Sequence, residues 1–117
     1  MIQLSEGYVP MTNKKLLHIE KQIAYIKQQL MEIGEMRTGS LTKQYKNPKD
    51  KKGGFYQLSY TQKNKSKTEY VRPYHVDVLK QQIKSYKKCK KLVERWIELS
   101  IVYSKLKMDI ANQGKLK

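Results

Sequence analysis

The chain has 117 residues, the size of one independently folding domain, and its apolar share of 38% supports a modest core. The 25 lysines and arginines against 10 acidic residues give a net charge of +15, which opposes compaction and calls for a polyanionic partner, nucleic acid before an anionic membrane. Cys89 is the only cysteine, so an internal disulfide is excluded; no apolar run reaches transmembrane length, the first residues lack signal-peptide features, and a cytosolic location is expected.

Residues 1–11 read as a flexible tail ending just past Pro10, followed by a single domain over 12–117. Thr12 and Asn13 are both competent N-caps. Leu16, Ile19, Ile23, Ile26, Leu30 and Ile33 then alternate spacings of three and four. This predicts a helix over about 13–36, roughly 35 Å long.

The period then changes. Ser40–Lys46 and Phe55–Thr61 alternate, and Lys67–Arg72 is rich in Thr, Tyr and Val. Asn47–Gly54 reads as a loop, and Gln62–Ser66 as a hairpin turn in which Asn64 takes the left-handed conformation. The expectation is a three-stranded antiparallel meander over about 40–72. One face carries Leu41, Tyr45, Tyr56, Leu58, Tyr60 and either Tyr70 or Val71; the other carries Thr42, Gln44, Lys46, Gln57, Ser59 and Thr61.

Pro73 suits the start of a last helix, over about 73–111, with Asp77 in its first turn. Its apolar positions run Val76, Leu79, Ile83, Tyr86, Cys89, Leu92, Trp96, Leu99, Tyr103, Leu106, Ile110, with two consecutive spacings of three around Cys89. Such an offset re-aims a seam, so the first half covers the sheet and the second half faces something else. The fold class is α+β, the two helices pairing as a hairpin or a dimeric coiled-coil-like bundle. Val93, Ile97 and Ile101 widen the later stripe. A homodimer is expected, and a larger protein partner on the last helix is an alternative.

The basic residues cluster. Lys43 and Lys46 lie on the first strand, Lys49, Lys51 and Lys52 in the first loop, Lys63, Lys65 and Lys67 at the hairpin, and Arg72 after it. Lys80, Lys84, Lys87 and Lys91 stack on one helical face, with Lys88 beside them. Lysine suits phosphates without reading bases. Base reading, where present, falls to Thr42, Gln44, Gln57, Ser59 and Thr61, although such a polar face equally suits plain exposure to water. Tyr45, Tyr56 and Tyr60 fall in phase with the core, and Trp96 and Tyr103 belong to core or interface. His18 and His75 lack companions for a metal site, Cys89 lies on an apolar stripe, and no catalytic constellation or cofactor site is recognisable. The reading is a non-enzymatic nucleic-acid binder, with DNA preferred over RNA.

Met36-Arg37-Thr38-Gly39-Ser40-Leu41, Tyr56-Gln57-Leu58-Ser59-Tyr60, Glu69-Tyr70-Val71 and Glu94-Arg95-Trp96-Ile97-Glu98-Leu99 together resemble a family of short prokaryotic proteins of unknown function. Its members recur near transposases and other mobile-element genes, and the similarity covers about residues 33–105. Many members carry closely spaced cysteines in the loop before the second strand, suggestive of zinc. Here Asn47–Gly54 holds no cysteine, so no metal role carries over. The order of elements is also similar, at the level of fold alone, to the arm-type DNA-binding domains of tyrosine recombinases, which lay a sheet into the major groove.

Overall fold

The computed structural model describes residues 11–115, in the order α1 (Met11–Met31), β1 (Ser40–Asn47), β2 (Lys52–Gln62), β3 (Lys65–Val71), a short 3-10 turn (Pro73–His75) and α2 (Val76–Lys115). This is the α+β arrangement expected. Residues 1–10 of the expected tail lie outside the described residues, and Met11 is already helical. The chain divides into two compact units: a sheet unit, residues 33–90, and a helical unit made of residues up to 32 and from 91 onward. The division falls between Lys90 and Lys91, just after Cys89, where the apolar spacing of α2 slips.

The sheet is an antiparallel meander in the order β1-β2-β3. Leu41 lies opposite Leu58, and Tyr56 opposite Val71. Residues that face each other across a ladder share a face, so Leu41, Tyr45, Tyr56, Leu58, Tyr60 and Val71 line one side. The choice between Tyr70 and Val71 therefore falls on Val71, which is buried, while Tyr70 is exposed. Val76, Leu79 and Ile83 of α2 cover this side, packing with Leu58, Val71, Leu41, Tyr56 and Tyr60. Leu58, at 1% exposure, is the centre of this core; burying it contributes about 2 kcal/mol.

Several boundaries differ from expectation. α1 stops at Met31, five residues before the predicted end, because Gly34 and the extended segment that follows do not carry the helix on. Thr12 and Asn13 sit inside α1 rather than capping it. β2 begins at Lys52, so Lys52, Gly53 and Gly54 are strand, not loop, and the turn is only Pro48–Lys51. Gly53 takes φ +68°, open to glycine without strain, and a Cβ there would meet the Lys46 side chain at 3.1 Å. The second hairpin is a two-residue turn, Lys63-Asn64, with φ of 50° and 64°. Both are left-handed, as a turn matching the twist of the strands requires; the expectation for Asn64 holds, and Lys63 joins it. Pro73 opens the 3-10 turn, and α2 proper starts at Val76 and runs on to Lys115.

The segment entering the sheet is tied down by polar contacts. The Arg37 backbone N–H donates to the Gln82 carbonyl at 3.0 Å, and Gln82 Nε2 donates to Glu35 Oε1 at 3.2 Å. The Arg37 guanidinium stacks 4.5 Å from the Tyr60 ring and lies 3.6 Å from Glu69. Tyr60 donates its hydroxyl to Glu69 Oε1 at 2.7 Å.

In the helical unit, Ile19, Ile23, Ile26 and Leu30 of α1 pack against Leu92, Trp96, Leu99, Tyr103 and Leu106 of α2. Tyr103 donates to Glu20 at 2.7 Å, and the Lys27 ammonium sits 5.1 Å from the Trp96 ring centre. Lower numbers on α1 meet higher numbers on α2, so the pair is antiparallel. The hairpin alternative is thus realised within one chain.

Candidate nucleic-acid interface

The sheet unit concentrates the charge. Residues 33–90 hold 15 lysines and arginines against Glu35, Asp50, Glu69 and Asp77, a net of +11. None of those carboxylates neutralises a lysine. Glu35 accepts from Gln82, Glu69 from Tyr60 with Arg37 beside it, and Asp50 from Asn47 at 2.9 Å, while Asp77 sits in the first turn of α2. Among the described residues the ion pairs are Arg37–Glu69 and Arg95–Glu98, and no lysine takes part in one.

Three lysines of α2 line one cleft beside the edge strand β1, and a fourth stands on the strand itself. Lys80, Lys84 and Lys87, spaced to stack on one face of α2, line a shallow cleft with the backbone of Gly39, Ser40 and Leu41. Lys43 alternates onto the helix-covered side of β1, and its ammonium and that of Lys80 both approach the Tyr56 ring, at 5.9 and 5.8 Å. Each cation gains from the ring, so Tyr56 is a shared neighbour of both lysines. Gly39 shapes the cleft: at φ +133°, a Cβ there would lie 2.9 Å from Leu58 Cδ1 and from the Ser59 carbonyl oxygen.

The other predicted basic residues are not gathered into one patch. Lys49 and Lys51 occupy the β1–β2 turn and Lys52 opens β2; Lys63 is in the second turn and Lys65 opens β3. These groups stand at opposite ends of an 11-residue strand, about 30 Å apart. Lys67 shares the covered side with Tyr60, and its ammonium donates to Gln62 Oε1 at 3.1 Å. Lys88 is exposed on α2, and Lys91 is exposed but belongs to the helical unit. Arg72 follows β3 and donates to the Tyr74 hydroxyl at 3.4 Å.

The uncovered face of the sheet carries the polar residues expected. Thr42 lies opposite Gln57 and Ser40 opposite Ser59, with Gln44, Lys46 and Thr61 in phase; all but the half-buried Gln57 are exposed. Thr68 and Ser66 extend it on β3. Two aromatics on this face escape a reading by residue type: Phe55 opposite Gln44, and Tyr70 opposite Gln57. Their ring centres are 6.3 Å apart, and Tyr70 is 63% exposed. Strict alternation from Tyr56 and Val71 is the signal that locates them. No acidic side chain lies on this face.

The remaining candidates stay at the surface or in the packing. His18 is exposed, His75 is exposed with its ring tilted against that of Tyr74 at 4.2 Å between centres, and Cys89 is half-buried. Among the described residues no three His, Cys, Asp or Glu side chains come together as a metal site would need, and no helix is long and apolar enough to cross a membrane.

Helix, three-stranded meander and long helix, with the lysines massed on the sheet unit, define an α+β protein with an uncompensated cationic surface. Residues 16–81, more than half of the chain, match the profile of a domain of unknown function, DUF6788, and the chain belongs to that family. No curated protein and no solved structure matches it. The matched stretch begins within α1, earlier than the resemblance at residue 33. It includes the Met36–Leu41, Tyr56–Tyr60 and Glu69–Val71 segments and ends before Glu94–Leu99.

Proposed function

We propose that the sheet unit binds nucleic acid, duplex DNA in preference to other forms, by holding phosphates with lysines and turning its uncovered face toward the bases. The observation that carries this reading is the cleft beside β1 lined by Lys80, Lys84 and Lys87, with Lys43 of β1 reaching the same Tyr56 ring as Lys80 and no carboxylate paired with any of the four. Unpaired ammonium groups at this density repel one another, and a row of phosphates relieves that repulsion while releasing counterions. Lys49 and Lys51 at one end of the sheet and Lys63 and Lys65 at the other supply further phosphate contacts. Thr42, Gln44, Gln57, Ser59 and Thr61 supply hydrogen-bonding groups for base edges, and a two- or three-stranded face fits the width of a major groove. The resemblance to short proteins that recur near transposases supports a role as an accessory or regulator of a mobile element.

Phe55 and Tyr70 favour a second reading, in which the same face stacks unpaired bases of RNA or single-stranded DNA. A single titration decides. Fluorescence anisotropy of labelled duplex DNA, duplex RNA and single strands, repeated across salt concentrations, is expected to rank duplex DNA first with a steep salt dependence. Tightest binding to a single strand, lost in Tyr70→Ala, establishes the second reading instead. Absence of binding to every form at low salt overturns both.

A further inference from the structure

The helical unit presents an apolar surface on α2 that α1 leaves uncovered. Val93, Ile97, Ile101 and Met108 are 38%, 56%, 52% and 56% exposed. With Ser100 and Ser104 they line one shallow groove. At 100° per residue these six positions fall within an arc of about 100°, next to the Leu92–Trp96–Leu99–Tyr103 stripe that packs on α1. Scattered apolar residues on a surface are ordinary; a contiguous stripe along four turns marks an interface. We propose that a second copy of this chain covers the groove, the two α2 helices running antiparallel about a two-fold axis between Ser100 and Ile101.

Charge argues for a second copy. From Val93 to Asp109 the helix carries Arg95, Lys105 and Lys107 against Glu94, Glu98 and Asp109, so it is neutral, whereas the sheet unit carries +11. Self-association meets least repulsion here.

Charge also argues for the direction. Glu94, Glu98 and Lys105, all exposed, flank the groove on one side within an arc of about 40°. In a two-fold antiparallel pair, matching flanks meet. Lys105 then stands opposite position 96 of the second copy, midway between that copy's Glu94 and Glu98, and symmetry makes the arrangement twice. Glu98 also accepts from Arg95 of its own helix at 3.3 Å, an exposed pair that leaves it room for a second cation. In a parallel pair this flank meets the opposite one, where Trp96 and Tyr103 occupy the facing turns and Lys107 lies nine residues past Glu98. Size agrees with the antiparallel register: Ile97 meets Ser104, Ile101 meets Ser100 and Val93 meets Met108, large against small at the centre.

Sedimentation equilibrium of the full chain, in salt high enough to strip nucleic acid, tests the proposal independently of DNA binding. The expected mass is twice 13.9 kDa. The Ile97→Lys/Ile101→Lys variant is expected to sediment at the single-chain mass with its helical circular dichroism retained, since neither residue is in a core. A monomeric wild type would point to a different protein as occupant and overturn the proposal, as would a variant that stays dimeric. Direction is read by disulfide trapping in a Cys89→Ala background. Val93→Cys mixed with Met108→Cys is expected to give the mixed disulfide, whereas Val93→Cys pairing with itself instead would establish the parallel arrangement and refute the antiparallel one.

Discussion

Residues 33–90 carry 15 basic side chains against four acidic ones, while the rest of the chain carries 10 against six. The two units also differ in how they spend their surface. In the helical unit an apolar stripe on each of two helices makes the core, and a third stripe stays in solvent. In the sheet unit a core of Leu58, Val71, Val76 and Ile83 supports three strands whose other face is polar and whose lysines have no acidic partners. Packing and charge are thus assigned to different parts of one chain. A small core can carry so much like charge only while repulsion stays below what burial supplies, which ties the stability of the sheet unit to salt and to polyanions far more than that of the helical unit.

Removing the centre of one core separates the two units most severely. Leu58→Ala is expected to destabilise the sheet unit by about 3 kcal/mol. Amide hydrogen exchange should then show protection lost in β1–β3 and kept in α1 and the second half of α2; equal loss in both would mean that the units unfold as one. Next comes charge. Lys80→Ala/Lys84→Ala/Lys87→Ala is expected to weaken nucleic-acid binding by about 100-fold near 0.1 M salt and to lower the salt slope by about 2.7. The same number of changes in the helical unit, at the exposed Lys14, Lys15 and Lys21, should leave both nearly unchanged, and comparable losses would disperse the site over the whole chain. Gly39→Ala, which sets a Cβ against Leu58 and the Ser59 carbonyl at a positive φ, should cost about 2 kcal/mol in denaturant unfolding.

The smallest effect uses a bond that each unit owns. Tyr60 donates to Glu69 and Tyr103 to Glu20, and both hydroxyls titrate above the ordinary tyrosine value, first because of that hydrogen bond and then because of burial. A group whose folded pKa is raised stabilises the fold at pH below its unfolded value, about 10, and loses that contribution as pH rises through the folded value. Unfolding midpoints compared between pH 9 and 11 should therefore fall less in Tyr60→Phe and in Tyr103→Phe than in the parent chain. Arg37, placed over the Tyr60 ring and paired with Glu69, opposes the shift at Tyr60.

Much of this was readable from residue order alone. Spacings of three and four place the buried faces of both helices, alternation places Leu41, Leu58 and Tyr60, and the slip at Cys89 marks where α2 changes partner, because local periodicity decides which side of an element can be buried. The concentration of lysine in the middle of the chain is likewise a property of the sequence. Pairing decided the rest. Register put Val71 inward, sent Phe55 and Tyr70 to the polar face, and extended β2 through two glycines that composition alone reads as loop. The packing of α2 beside the edge of β1 brought Lys43 and Lys80 to one Tyr56 ring across 37 positions of sequence, and antiparallel geometry set the turn lysines and the hairpin lysines apart by the length of β2. Which charges stand together is a long-range property, and no local pattern records it.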